Sequence, residues 1–194
     1  MKKFNKGFAL NERSKSKGFT LIELLIVIAL LGALAVALLA ALDPFEQLKK
    51  GTDTGVRNTV AEIQGAIIRY YGVKNQMPWC VASDCTTWRD SLTSQDLPVD
   101  GVKASDIPNT IIEISAAGEL KADFSTLAGA TNMGKIRLFG GNTTLKVEVC
   151  YKPTAKSFIN DPNTKFLLAT GAEAPALTCK GQGGTDLTCL WCIQ

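Results

Sequence analysis

Three features of this 194-residue chain bear on chemistry. The first is Glu23, the one charge in the apolar run of residues 19–42. Near a bilayer centre a carboxylate costs about 2.5–3.5 kcal/mol on insertion scales, so an acid in such a run calls for a partner. The residues before it suggest one. A cut between Gly18 and Phe19 would create an α-amine four residues from Glu23. That amine can pair with Glu23 of the same helix, or of a neighbouring helix shifted by about one turn. The second feature is six cysteines: Cys80, Cys85, Cys150, Cys179, Cys189 and Cys192. In an exported domain these mean disulfides. The third is an absence. With no histidine, His-ligated zinc, the Ser-His triad and the commonest general base are all removed.

Other constellations are weaker than they look. Cys189-Leu190-Trp191-Cys192 has redox spacing, but thioredoxin-like chemistry needs a βαβ setting, and this motif sits two residues from Gln194. A four-cysteine zinc site needs paired CxxC elements, and only one exists. Between residues 174 and 194 the only acid is Asp186, whereas a hard cation wants six to eight oxygens. Asn160-Asp161-Asn163 is a fallback cation site, better read as a turn. Gly181-Gln182-Gly183-Gly184 lacks the lysine of a phosphate loop. Asn142-Thr143-Thr144 is a formal glycosylation sequon of the kind that arises by chance. Trp79, Trp88 and Trp191 are expected to pack against cystines rather than form an adhesive surface. No catalytic residue, cofactor or metal is expected.

The elements that must position these residues follow from pattern. Residues 19–42 as a helix span roughly 36 Å, enough to cross a bilayer core with some tilt. The run is too long for the ~7–15-residue core of a secretory signal, although Ala33-Leu34-Ala35 imitates a cleavage site. A plain signal anchor leaves Glu23 behind Gly-Phe unexplained. Residues 1–18 carry Lys2, Lys3, Lys6, Arg13, Lys15 and Lys17 against Glu12, a net +5. Of 21 basic and 18 acidic residues, 15 and 17 then remain, a net −2. The basic balance is therefore a positive-inside signal in the leader, and argues for no nucleic-acid partner. The leader also holds an echo, Lys6-Gly7-Phe8-Ala9-Leu10-Asn11-Glu12. No apolar run follows it, so Gly7 reads as a decoy.

Asp43-Pro44-Phe45-Glu46 reads as a helix start, with Asp43 capping, Pro44 at the first position and Glu46 completing a box. Gly51-Thr52-Asp53-Thr54-Gly55 should weaken the helix, as should Gly32 in the apolar run. Val56, Val60, Ile63, Ile67 and Tyr70 then keep helical spacing until Gly72 stops it. Residues 73–106 read as loop, with a helical turn at 91–96. Residues 110–115 and 120–127 fit strand or short helix. The clearest hairpin joins 135–139 to 143–151 through Gly140-Gly141-Asn142, with the second arm half-exposed. Residues 156–159 read as a third strand, 165–170 as strand or helix, and 174–194 as clamped rather than regular. Six cysteines allow 15 pairings; Cys80–Cys85, and Cys150 to the tail, are the expected ones.

Lys17-Gly18-Phe19-Thr20-Leu21-Ile22-Glu23 with its unbroken apolar run, together with Leu42-Asp43-Pro44-Phe45-Glu46, resembles the N-terminal region of type IV prepilins and type II secretion pseudopilins. The resemblance implies that a membrane peptidase cuts after Gly18 and that Phe19 is methylated. It also implies that Glu23 aligns identical subunits in a helical filament, with inner-membrane assembly machinery as a further partner. Many pilins carry a proline in the second half of this segment, which is missing here. The lone acid of the tail departs from the calcium-dependent pseudopilins and favours a disulfide-held pilin. The expected fold is α+β. A long apolar helix continues, with a kink near Asp43-Pro44, into an amphipathic helix packed on a small antiparallel sheet. The expected division is a removed cytoplasmic leader (1–18), a membrane and filament-core helix (19–42), the amphipathic helix (43–72) and a loop-rich disulfide-bonded β region (73–194). The precursor is expected in the inner membrane with its leader inside, and the product in a surface filament.

Overall fold

A computed structural model describes residues 18–41 and 43–194. The expectations for residues 1–17, including the echo at Gly7, and for Leu42 lie outside the described residues. The chain forms two compact units, Met1–Asp43 and Pro44–Gln194.

The described part of the first unit is the helix α1 (Leu21–Ala41) and the residues leading into it. Leucine, isoleucine and alanine fill it on every side, and none of its residues is buried. Gly32 does not interrupt it. At 1.5 Å per residue it is about 31 Å long, and by length and composition it can cross a membrane.

The second unit opens with α2 (Pro44–Lys74). Proline at the first position has its φ preset and no N–H to lose. Val56, Val60, Ile63, Ala66, Ile67 and Tyr70 form one buried stripe, while Asn58, Glu62 and Arg69 stay exposed. Neither Gly51 and Gly55 nor Gly72 breaks this helix. It ends at Asn75, whose φ of 52° is left-handed, a conformation asparagine tolerates better than most residues.

The sheet that α2 covers has five antiparallel strands: β1 (Val102–Lys103), β2 (Ile136–Gly141), β3 (Lys146–Tyr151), β4 (Thr164–Phe166) and β5 (Leu190–Ile193). Their order is β1-β2-β3-β5-β4. Ile136, Leu138, Val147, Val149 and Tyr151 point into the core shared with α2. Phe139, Cys150, Phe166, Leu190 and Cys192 make a second, smaller core with Leu168. Between β1 and β2 lie the helices α3 (Pro108–Ala116), α4 (Phe124–Ala128) and α5 (Ala130–Met133). A last short helix, α6 (Lys156–Ile159), precedes β4.

Several expectations are corrected. Residues 91–96 form no helical turn. Of the two forms open to residues 110–115, strand or short helix, the chain takes the helix, because Pro108 starts α3 and Thr110, Ile111 and Ile114 share its buried side. Residues 156–159 are helix, not strand. The glycine pair lies inside β2 rather than in the turn, which falls on residues 142–145. β3 is not half-exposed: five of its six residues are buried, because its two faces belong to the two cores. The tail is not merely clamped. It contributes β5, hydrogen-bonded to β3 on one side and β4 on the other.

Candidate functional site: the start of the apolar helix

Thr20 and Glu23 share a reciprocal set of hydrogen bonds at the head of α1. One Glu23 carboxylate oxygen accepts from the Thr20 backbone N–H at 2.8 Å and from its hydroxyl at 2.7 Å. The Thr20 hydroxyl oxygen accepts from the Glu23 N–H at 3.3 Å. This is a capping box: threonine precedes the helix and glutamate is its third residue. It satisfies two of the orphan donors of the first turn and places a negative charge at the positive end of the helix dipole. Among the described residues the hydrogen-bond partner of Glu23 is therefore Thr20. Sequence reasoning passed over Thr20, although Thr-x-x-Glu ahead of an apolar run is a readable pattern.

Gly18 and Phe19 lie just before this box, both exposed, with Phe19 at 84%. Among the described residues, an added Cβ at Gly18 would meet no atom within 4 Å. Nothing among the described residues covers the peptide bond between them, and the capped helix follows directly.

The cysteines lie in the second unit and close three disulfides: Cys80–Cys85, Cys150–Cys192 and Cys179–Cys189. Cys150 and Cys192 are register partners on neighbouring strands, so that bond pins β5 to β3. Glu148, Cys150 and Cys192 bring ligand-type atoms within 4.8 Å of one another. Both sulfurs are committed to the disulfide, so the trio cannot offer the thiolates a metal takes. Cys189 and Cys192 are bonded to different partners, so this CxxC does not form the internal disulfide of redox chemistry.

The other polar groups of this unit hold it together. Asp186 accepts from the Thr188 hydroxyl and N–H, both at 2.7 Å, and those bonds hold its carboxyl below the usual range. For Asp161 burial opposes the charge. Hydrogen bonds from Asn163 and Arg57, with the Arg57 charge, outweigh it and lower the carboxyl overall. The loop over residues 76–97 is fastened by Arg89, which donates to Pro78 O, Cys80 O and Glu113, while Tyr70 donates to Glu113 at 3.0 Å. Asp90 caps α3 through the N–H groups of Asn109 and Thr110, at 2.8 and 2.7 Å. The Trp79 indole is fully buried and donates to Gln95 O at 2.9 Å. A cleft of about 360 Å³ beside Ile67, Tyr71, Met77 and Val147 is apolar, and the lysine at its rim, Lys146, is paired with Glu148.

The chain's chemistry is therefore concentrated at residues 18–23, and comparison with known proteins points there too. No curated protein and no solved structure matches the chain. Residues 13–39 match the family model of the prokaryotic N-terminal methylation motif, and the chain thereby carries the type IV pilin and pseudopilin signature.

Proposed function

We propose that this protein is the structural subunit of a type IV pilus-like surface filament. Residues 1–18 are removed, Phe19 becomes the methylated N-terminus, and Glu23 neutralises that amine on a neighbouring copy. The observation that carries this reading is α1: a 21-residue helix with no buried residue, a single carboxylate in its first turn, directly behind Gly18-Phe19. A bilayer covers such a helix before assembly, and identical helices cover it afterwards. Both surroundings are apolar, so the transfer costs little net hydrophobic free energy. A prepilin peptidase and inner-membrane assembly machinery are the partners this role requires. The precursor sits in the inner membrane with residues 43–194 outside, and the role is structural rather than catalytic.

A pseudopilin of a secretion or competence system would carry the same motif. Against its calcium-dependent form stands Asp186, the one acid of residues 174–194, whose carboxylate is engaged by Thr188. A singly anchored extracytoplasmic binding or redox domain is the rival from another class, and it predicts a retained leader. Mass spectrometry of filaments sheared from cells separates this anchored domain from the processed filament subunit. An N-terminus at methylated Phe19 is expected, and a chain still beginning at Met1 overturns the proposal.

A further inference from the structure

The first three turns of α2 are attached to their unit without apolar burial. Across residues 44–55 the only buried side chain is Asp53; the apolar stripe begins at Val56, and Phe45 and Leu48 are exposed. The run Gly51-Thr52-Asp53-Thr54-Gly55 contains no strong helix former. The Thr52 and Thr54 hydroxyls donate to the carbonyls of Leu48 and Lys50, at 3.1 and 2.8 Å, a bond type that slightly destabilises and bends helices.

What holds this stretch is a pair of carboxylates seven residues apart, on one side of the helix. Asp53 accepts from the N–H groups of Thr154 and Ala155, both at 2.7 Å, and from the Thr154 hydroxyl at 2.9 Å. Glu46 accepts from the N–H of Lys156. Four residues beyond Asp53 the attachment changes character. Arg57 pairs with Asp161 at 3.0 Å and lies between the rings of Phe158 and Trp191, 4.5 and 4.3 Å from their centroids.

We infer that residues 44–55 are a detachable helical segment. The clamp at Glu46 and Asp53 keeps them wound against residues 154–156, and its release lets them unwind as far as the Arg57 anchor while the apolar core stays intact. On the filament reading, which this part rests on, the chain runs from α1 into the outer unit through this segment. A pull along the chain then loads the clamp before the core. Twelve residues going from ~1.5 to ~3.3 Å each would lengthen by roughly 22 Å.

Hydrogen exchange followed by mass spectrometry, on the full unassembled chain in detergent micelles, tests the device separately from filament formation. Amides of residues 49–55 should exchange at least about tenfold faster than those of residues 60–70. An added Cβ at Gly51 or Gly55 meets no atom within 4 Å, so Gly51→Ala with Gly55→Ala should slow residues 49–55 and leave 60–70 unchanged. Asp53→Ala should speed exchange in 49–55 and 154–159 only. Equal protection of 49–55 and 60–70, no response to the alanine pair, or an equal acceleration of 60–70 by Asp53→Ala would overturn the inference.

Discussion

In the intact chain the Glu23 carboxylate is held by the backbone and hydroxyl of Thr20, and on the proposed reading cleavage supplies a stronger partner of opposite charge. On that reading the acid is satisfied while a subunit waits in the bilayer and remains available for exchange during assembly. Glu23→Ala should leave the precursor inserted and its outer unit folded, yet abolish or disorder filaments. Electron microscopy of sheared material checks this, and filaments of normal order would refute the pairing. Thr20→Ala removes the cap alone and should loosen the first turn of α1 by about 1 kcal/mol, read as faster exchange there. Two phenols report on the core of the second unit. Burial, then the hydrogen bond to Glu113 and its charge, pushes Tyr70 up to about 12; burial alone dominates at Tyr151, also about 12. The unfolded phenol ionises near 10. The fold therefore favours their neutral forms, a contribution complete below about pH 10 and lost as pH rises toward about 12. Ultraviolet titration should show these two tyrosines ionising late and together with unfolding.

The glycine pair of β2 shows how an element is shaped by what crosses it. Gly140 has φ 111°, and a Cβ there would lie 1.8 Å from the Lys146 carbonyl oxygen. A Cβ on Gly141 would lie 2.6 Å from the Asp96 Cα, because residues 96–97 cross against this strand and the Leu97 N–H donates to Gly140 O at 2.9 Å. These glycines permit close approach rather than a turn. Gly140→Ala should cost about 3 kcal/mol through strain and overlap, measured by denaturant unfolding of the second unit. Among the disulfides, Cys150–Cys192 closes the longest loop, with a sequence separation of 42. Replacing both cysteines by alanine should cost about 4 kcal/mol if restriction of the unfolded chain dominates. The same measurement checks it, with reduction of the native protein as a second arm.

At the scale of the molecule, the parts legible in the sequence are those fixed by near neighbours. The stripe from Val56 to Tyr70 follows helical period, the β2–β3 pair follows alternation, and Cys80 can reach Cys85 across a short loop. Thr-x-x-Glu belonged to this class and was missed only because the carboxylate was read against the amine. What stayed hidden depends on distant chain. Residues 156–159 wind into a helix whose start is capped by Asp53, 102 residues from Ala155. β3 is covered on its outer face by Phe166, Leu190 and Cys192, which no alternation within the strand announces. Nor does any local pattern say that the last strand belongs in the middle of the sheet.

That placement has a bearing on how the second unit closes. With β5 between β3 and β4, the sheet is continuous only once residues 190–193 are in place; without them the backbone of β3 is an open edge, and β4 has no strand beside it. Chain order and sheet order run against each other, so β4 joins the sheet only through a strand that follows it in the chain. A molecule clipped ahead of β5 would offer that edge to proteases and chaperones, whereas β5 in place seals the gap and Cys150–Cys192 locks it by oxidation.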